Sequence, residues 1–253
     1  MPSVVSEAIV LHTFDYLESS RIVRLVTRDA GLRSAVARGA RRSKRRFGSG
    51  LDLFAQGTAS LQVRAGRDLD TLTAFEDVEG RGLLAASLER FTGAETIAEI
   101  VLRFGAVHAD AHLFDTVETA FNSIAAAAPA AARDATLASG WRIVAALGHA
   151  PTLTQCVECA DALDDAATLL FAHSAGGVLC PRCATLSPGG RKLPGPARLT
   201  IAAWLDGRDA RPSSDAEARA HQRLLREFIE YHVHDGRGLR AFDLWEGTAW
   251  SAA

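Results

Sequence analysis

The sequence predicts an α+β, multidomain fold: a small β-barrel or sandwich first, helices after it, and a four-cysteine module set among the helices. Three observations predict it. Short β-favouring runs punctuated by Gly-containing turns fill the first 80 residues. Past Gly82 the apolar residues recur at spacings of three and four, the period of a helix face. All four cysteines of the chain fall in two CxxC pairs.

The strands come in order. Ala8–Leu11, Arg21–Thr27 and Leu32–Arg38 are short and rich in β-favouring residues. Thr58–Arg64 alternates polar and apolar, as a half-buried strand does, and Leu69–Phe75 is the fifth. Asp29-Ala30-Gly31 and Ala65-Gly66-Arg67 read as hairpin turns, with Gly taking the positive φ. Five short strands with tight turns suit a small barrel or sandwich. Gly39 to Gly50 interrupts the pattern and reads as a long exposed loop.

The helices follow. Leu84, Leu88, Phe91, Ala94, Ala98 and Val101 lie on one helix face. Leu113, Val117, Phe121 and Ile124 form a second stripe; Leu137, Trp141 and Val144 form a third that ends near Gly148. Ser214-Asp215-Ala216-Glu217 has the capping-box pattern and opens a helix running through Leu225, Phe228 and Ile229. No internal repeat is present.

Composition narrows the function. The chain has 253 residues, 48% hydrophobic and 23% charged, which excludes wholesale disorder. A net charge of −2 excludes strong polyanion attraction by the chain as a whole. Residues 1–80 carry 12 Lys/Arg against 10 Asp/Glu, and the remainder 16 against 20, so any basic surface is local. No apolar run approaches the roughly 20 residues that span a bilayer, and residues 1–10 lack a signal-peptide pattern. A soluble, cytoplasmic protein with no membrane partner is expected.

Cys156-Val-Glu-Cys159 and Cys180-Pro-Arg-Cys183 form C-x2-C-x20-C-x2-C. Four thiolates around one centre suit a tetrahedral Zn²⁺ in a reducing compartment. Four sulfur ligands leave no position for water, so such a zinc is structural. The other reading of the spacing is two redox or unbound cysteine pairs.

Arg38-Gly-Ala-Arg41-Arg42-Ser-Lys44-Arg45-Arg46 holds six cations in nine residues, and Arg33 adds a seventh with no acid between 33 and 47. Cations this dense repel each other unless they face water or a polyanion, and phosphates supply counterion release as a driving force. A solvated loop is the alternative; only Lys44 and Lys192 are Lys, so Arg is the default cation here. Phe47, at the end of the run, suits either base stacking or packing.

Other signals do not add up to a site. His108 and His112 have i,i+4 spacing but no third ligand, and read as a solvated helix face. His232 and His234 flank a helix end, where they suit the C-terminal dipole. Trp204, Trp245 and Trp250 read as packing anchors. There is no P-loop, no GxSxG and no paired-carboxylate motif, so nothing supports an enzyme. A zinc nuclease is disfavoured by the closed cysteine site.

Three stretches resemble the RecO recombination-mediator family. The first is Leu11-His-Thr-Phe-Asp-Tyr-Leu-Glu-Ser-Ser-Arg21-Ile-Val. The second, Thr27 to Arg42, is similar to the family's T-x-x-x-G…K-G-A-R, with Arg38 where Lys is common. The third is the CxxC pair inside a helical region. The resemblance implies an N-terminal OB fold at about 1–80. It implies a helical domain at 81–152 and 187–253, interrupted by a zinc module at 153–186. It also implies binding to single- and double-stranded DNA, annealing of complementary strands and work with RecR. That work places RecA on DNA coated by single-stranded DNA-binding protein (SSB). No catalytic residues come with it. Arg38, Arg41 and Arg42 match the motif as DNA contacts; charge alone adds Arg33, Lys44, Arg45 and Arg46. Asp243–Glu246 matches no family pattern.

The helical region also resembles a docking site for the acidic C-terminal tail of SSB, which ends in an aromatic residue. Its receptor needs an apolar groove rimmed by cations. Arg219, Arg223 and Arg226 share one face, with Leu225, Phe228 and Ile229 as an adjacent apolar stripe. The alternative is a solvated Arg face above an ordinary core stripe. At the level of function, the alternative is an adaptor that mainly tethers RecR and SSB, with DNA binding secondary.

Overall fold

In a computed structural model of the chain, residues 3–47, 51–63, 69–79, 81–105, 108–187, 189–232 and 238–248 are described, apart from the side chains of 44, 45 and 77–79. The Ala65–Arg67 turn, Gly48, Gly50, His234 and Trp250 lie outside the described residues.

Five strands, β1 (Ser3–Tyr16), β2 (Ser20–Thr27), β3 (Gly31–Ala37), β4 (Gln56–Gln62) and β5 (Asp70–Glu79), close a barrel in the order β1-β2-β3-β5-β4. Neighbours are antiparallel except β3 and β5. This is OB-fold topology, with the long first strand paired to both β2 and β4. Alternation fills the barrel. Ala8, Val10, Val23, Leu25, Ala35, Ala37, Ala59 and Leu61 point in, and the many alanines suit its narrow bore. Gly57 lies where β4 crosses β5 so closely that a Cβ would stand 2.2 Å from the Glu76 carbonyl oxygen.

The stretch after β3 is less open than a long exposed loop. Lys44–Phe47 forms a short helix, α1, and Phe47 is buried against Ala40, Leu51 and the barrel interior. The reason is closure: the barrel end exposes apolar side chains unless something plugs it. Phe47 is that plug, so its ring is unavailable to a base.

The helical part contains α2 (Leu88–Phe104), α3 (Ala111–Ala126), α4 (Ala132–Val144), α5 (Pro181–Ala184), α6 (Gly195–Leu205), α7 (Asp215–His232) and α8 (Arg240–Gly247). Val117, Phe121, Trp141, Trp204, Phe228 and Trp245 are buried in its core. The face expected to run unbroken from Leu84 to Val101 divides at Ser87, whose Oγ accepts the Arg90 N–H and caps α2. Leu88 is consequently 62% exposed. At α7 the Ser214 Oγ accepts the Glu217 N–H at 3.2 Å, but the Glu217 carboxylate accepts from the Ser213 N–H, one residue earlier than a capping box requires. His112 opens α3 while His108 lies before it, so they share no helix face. Among the described residues, no helix is long and apolar enough to cross a membrane.

The barrel is docked on the helices. Ile9, Leu11, Val26 and Phe54 belong to the helical core, which explains why apolar residues occupy the outer face of β1 and β2. Arg81, 7% exposed, donates to the Phe54 carbonyl at 3.1 Å and to Asn122 Oδ1 at 3.1 Å. Arg28 pairs with Glu7 and, at 2.7 Å, with Asp115 of α3.

Between α4 and α6 the chain makes a three-stranded antiparallel sheet, with β6 (Leu169–Ala172) between β7 (Gly177–Leu179) and β8 (Arg191–Leu193). Buried Arg198 of α6 holds its approach, donating to the Leu153 carbonyl at 2.6 Å and to the Asp164 carbonyl at 3.0 Å. Phe171 packs on Trp141 and Phe228, so the sheet is continuous with the helical core.

Candidate metal centre and nucleic-acid interface

The four cysteine sulfurs lie within 4.8 Å of one another. Cys156 and Cys159 sit on the turn before β6; Cys180 caps the N-terminus of α5, and Cys183 lies within that helix. Cys159 Sγ is 3.8 Å from Cys180 Sγ. A disulfide needs about 2.05 Å, so these are not bonded pairs. A tetrahedron with metal–sulfur bonds of about 2.3 Å has edges of about 3.8 Å. Backbone donors already face the sulfurs: the Cys180 N–H points to Cys156 Sγ at 3.3 Å and the Cys183 N–H to Cys180 Sγ at 3.5 Å. Burial opposes ionisation of Cys156, but N–H donors from Cys180, Cys159 and Glu158 outweigh it and bring the thiol down to about 6. Cys183 is pushed up to about 12 by its hydrogen bond to Cys180, then by burial and the other thiols. One thiolate discourages the next until a cation joins them. The donor set therefore fits a metal ion, and four protein ligands close its coordination.

At the barrel end, Gly39 takes φ +70° and turns the chain out of β3. Its carbonyl accepts N–H bonds from Arg42 and Ser43, both at 3.0 Å, and the Arg41 N–H donates to the Ser19 carbonyl at 3.1 Å. The basic loop is thus pinned beside the β1–β2 turn. Arg38, Arg41, Arg42 and Arg46 come together there, all exposed. Arg46 braces the loop by donating to the Arg38 carbonyl at 3.1 Å. Arg41 stands 3.7 Å from exposed Asp15, a pair worth little in water. Arg33 stands apart on β3, donating to the Ala30 carbonyl at 2.8 Å and facing buried Asp70 at 3.7 Å. The side chains of Lys44 and Arg45 lie outside the described residues.

This pairing of an OB-type barrel and a four-cysteine helical region matches known families. Residues 1–81 match the family profile described as Recombination protein O N terminal, and residues 85–240 match Recombination protein O C terminal. The chain belongs to the RecO family. It is 30% identical over 253 residues to DNA repair protein RecO of Bifidobacterium adolescentis, covering 96% of this chain and 100% of that one. It is 35% identical over 249 residues to DNA repair protein RecO of Anaeromyxobacter dehalogenans strain 2CP-C, covering 95% of each. With that of Thermobifida fusca the identity is 31% over 243 residues, 92% of this chain and 96% of the relative.

In this RecO-family chain the face of α7 divides. Leu225, Phe228 and Ile229 are buried core, not a surface stripe. Arg219 pairs with Asp215. Arg226 binds Glu230, Asp243 and Glu246. Arg223 is exposed and lines a groove of about 710 Å³ between α6 and α7, whose floor includes Leu193, Pro196, Ala220 and Leu224. Lys192 and Glu217 also line it, as does Arg191, which is held by both carboxylate oxygens of Glu227. Spacing on α7 did not point to this groove, because half of it comes from β8 and α6. A second cleft, of about 500 Å³, holds Arg142, whose Nε donates to the Trp204 carbonyl at 2.7 Å.

Proposed function

We propose that this chain is a non-enzymatic recombination mediator in DNA repair, acting in the cytoplasm on chromosomal DNA. It binds single- and double-stranded DNA, anneals complementary strands, and works with RecR to place RecA on SSB-coated single strands. Its relatives are named DNA repair protein RecO. The observation that carries the reading is the cluster of Arg38, Arg41, Arg42 and Arg46 at the barrel end, in a region with no acid between 33 and 47. Annealing needs no covalent chemistry. It needs the repulsion between two phosphate chains screened while the bases stay free, and backbone contacts carry no sequence information. The unit 1–80 is the DNA-binding OB fold in this reading. The helical parts, 81–152 and 187–253, flank a module at 153–186 that holds one structural Zn²⁺ through Cys156, Cys159, Cys180 and Cys183. Zinc is favoured because an all-thiolate tetrahedral set suits it.

A salt titration tests the loop. Replacing Arg38, Arg41 and Arg42 by Ala, leaving the Arg46 brace, reduces the slope of log K against log salt by about 2, at roughly 0.7 per single-strand contact. An unchanged slope removes these side chains from the phosphates. For the SSB tail, the α6–α7 groove offers apolar walls under Lys192 and Arg223, a match for an acidic segment ending in an aromatic ring. Lys192→Ala with Arg223→Ala weakens a labelled tail peptide by about tenfold or more in fluorescence anisotropy. Affinity unchanged within twofold places the tail elsewhere, and a loss confined to Arg142→Ala places it in the second cleft.

A further inference from the structure

β1 changes character at its bulge between Val10 and His12. Ile9, before it, and Leu11, at it, are buried against the helices; after it, Phe14 and Tyr16 are 44% and 41% exposed. Register fixes where they point. Thr13 pairs with Val23, whose side chain lies inside the barrel, so the neighbouring pair Phe14 and Ile22 faces outward. Ile22 pairs with Val36 of β3, between the inward residues Ala35 and Ala37. Phe14, Ile22 and Val36 therefore form one row across three strands. Tyr16 lies one step towards the turn, and His12 one step behind, with its ring centroid 5.7 Å from that of Phe14.

Single exposed aromatics are ordinary. Here two share the outer face of one strand, next to the cation cluster. Arg38 follows β3 directly, and the loop bearing Arg41 is hydrogen-bonded to the β1–β2 turn at Ser19. Asp15, between the two rings in sequence, points to the opposite face of β1, where Arg21 meets it at 3.4 Å and Arg41 at 3.7 Å.

We propose that Phe14 and Tyr16 are a base-stacking platform that takes unpaired nucleobases of single-stranded DNA while the Arg38–Arg42 loop holds the phosphates. The proposal rests on the DNA-binding reading and adds the site that distinguishes a single strand from a duplex. A paired base has no free face to offer. A base lying on an aromatic ring spends its π-face and keeps its hydrogen-bonding edge, so stacking orders a strand for annealing without blocking it.

The test uses the full-length protein and three probes at fixed salt: a single strand, a strand of equal length whose bases are replaced by abasic sites, and a duplex. Phe14→Ala with Tyr16→Ala lowers single-strand affinity by about 5- to 150-fold per ring, on the range for base–aromatic stacking. Duplex affinity and the salt slope stay within experimental scatter, and the preference for based over abasic strand disappears. Phe14→Leu, which keeps apolar bulk, reproduces the loss at that position. Unaltered thermal unfolding shows that the barrel is intact. If the double variant binds all three probes as the parent does, the platform is overturned while DNA binding stands. If the parent shows no salt-dependent binding to any probe, the DNA reading itself falls.

Discussion

Arg226 Nη2 of α7 lies 2.7 Å from Asp243 Oδ1 of α8. The contact joins an arginine that spacing assigned to a ligand face with an acidic segment that matched no family pattern. Nη1 of the same guanidinium reaches Glu246 Oε2 at 2.8 Å, and Nε reaches Glu230 at 3.0 Å. Burial works against the charge, but the three carboxylates outweigh it and raise the pKa above the ordinary guanidinium value. Removing Arg226 leaves three carboxylates facing one another. Arg226→Ala is expected to cost about 1–3 kcal/mol, the range for losing charged hydrogen bonds. In a chain this size each kcal/mol lowers the melting temperature by about 2–4 °C. A double-mutant cycle with Asp243→Ala gives a coupling of about 0.5 kcal/mol or more. Additive losses would show that α8 is held by its apolar face alone.

The thiol cluster makes a separate prediction. Structural zinc in small domains supplies on the order of 10–16 kcal/mol of apparent binding energy. Elemental analysis of protein purified without chelator should give one zinc per chain. Cys183→Ser or chelation should release it and expose β6–β8 amides to hydrogen exchange. Because Phe171 packs on Trp141 and Phe228, the helical core should lose stability too. The barrel, with no cysteine and its own core, should keep its protection. Zinc-free protein with full protection in β6–β8 would refute a structural metal.

Which features could be read from the sequence depends on how local their causes are. The strands were readable because alternation needs only neighbours, and the cysteine pair because its spacing sets each knuckle within a few residues. Phe47 was not, since whether it faces a base or the barrel depends on closure by strands far along the chain. The pairing of Arg226 was not legible because two of its three partners, Asp243 and Glu246, lie 17 and 20 residues away, across a turn. The outward Ile9 and Leu11 look like a pattern error until the helical domain covers them. The exposed rings of Phe14 and Tyr16 acquire meaning only through a bulge that no residue type announces.

His221 on α7 is 1% exposed, its ring centroid 5.1 Å from that of Trp204 and its Nε2 3.5 Å from Glu217 Oε1. Burial lowers its pKa below the ordinary 6.5, and the attraction of Glu217 only partly opposes this. The folded protein therefore holds His221 neutral, while the unfolded chain takes up a proton at about 6.5. Below that pH the unfolded state binds more protons, so stability falls as pH falls, by at most about 1.4 kcal/mol per pH unit for one site. His12 and His173 are lowered by burial as well and add to the same window. Asp215, Glu217 and Glu227 have lowered values, so their contribution is lost only at lower pH, below their unfolded carboxylate range. Glu95 and Asp134, raised by burial, act in the opposite sense. Of these imidazole and carboxyl groups only the histidines lower stability just below pH 6.5; loss of the Cys156 thiolate, held at about 6, overlaps that window but acts equally in the parent and in a His221 variant. His221→Phe keeps an aromatic ring against Trp204 and removes one titrating site. Melting temperatures measured from pH 7.5 to 5 should fall less steeply in this variant than in the parent, the gap opening below pH 6.5. Parallel curves would mean that His221 keeps an unperturbed pKa in the folded protein, and that its burial carries no cost at acid pH.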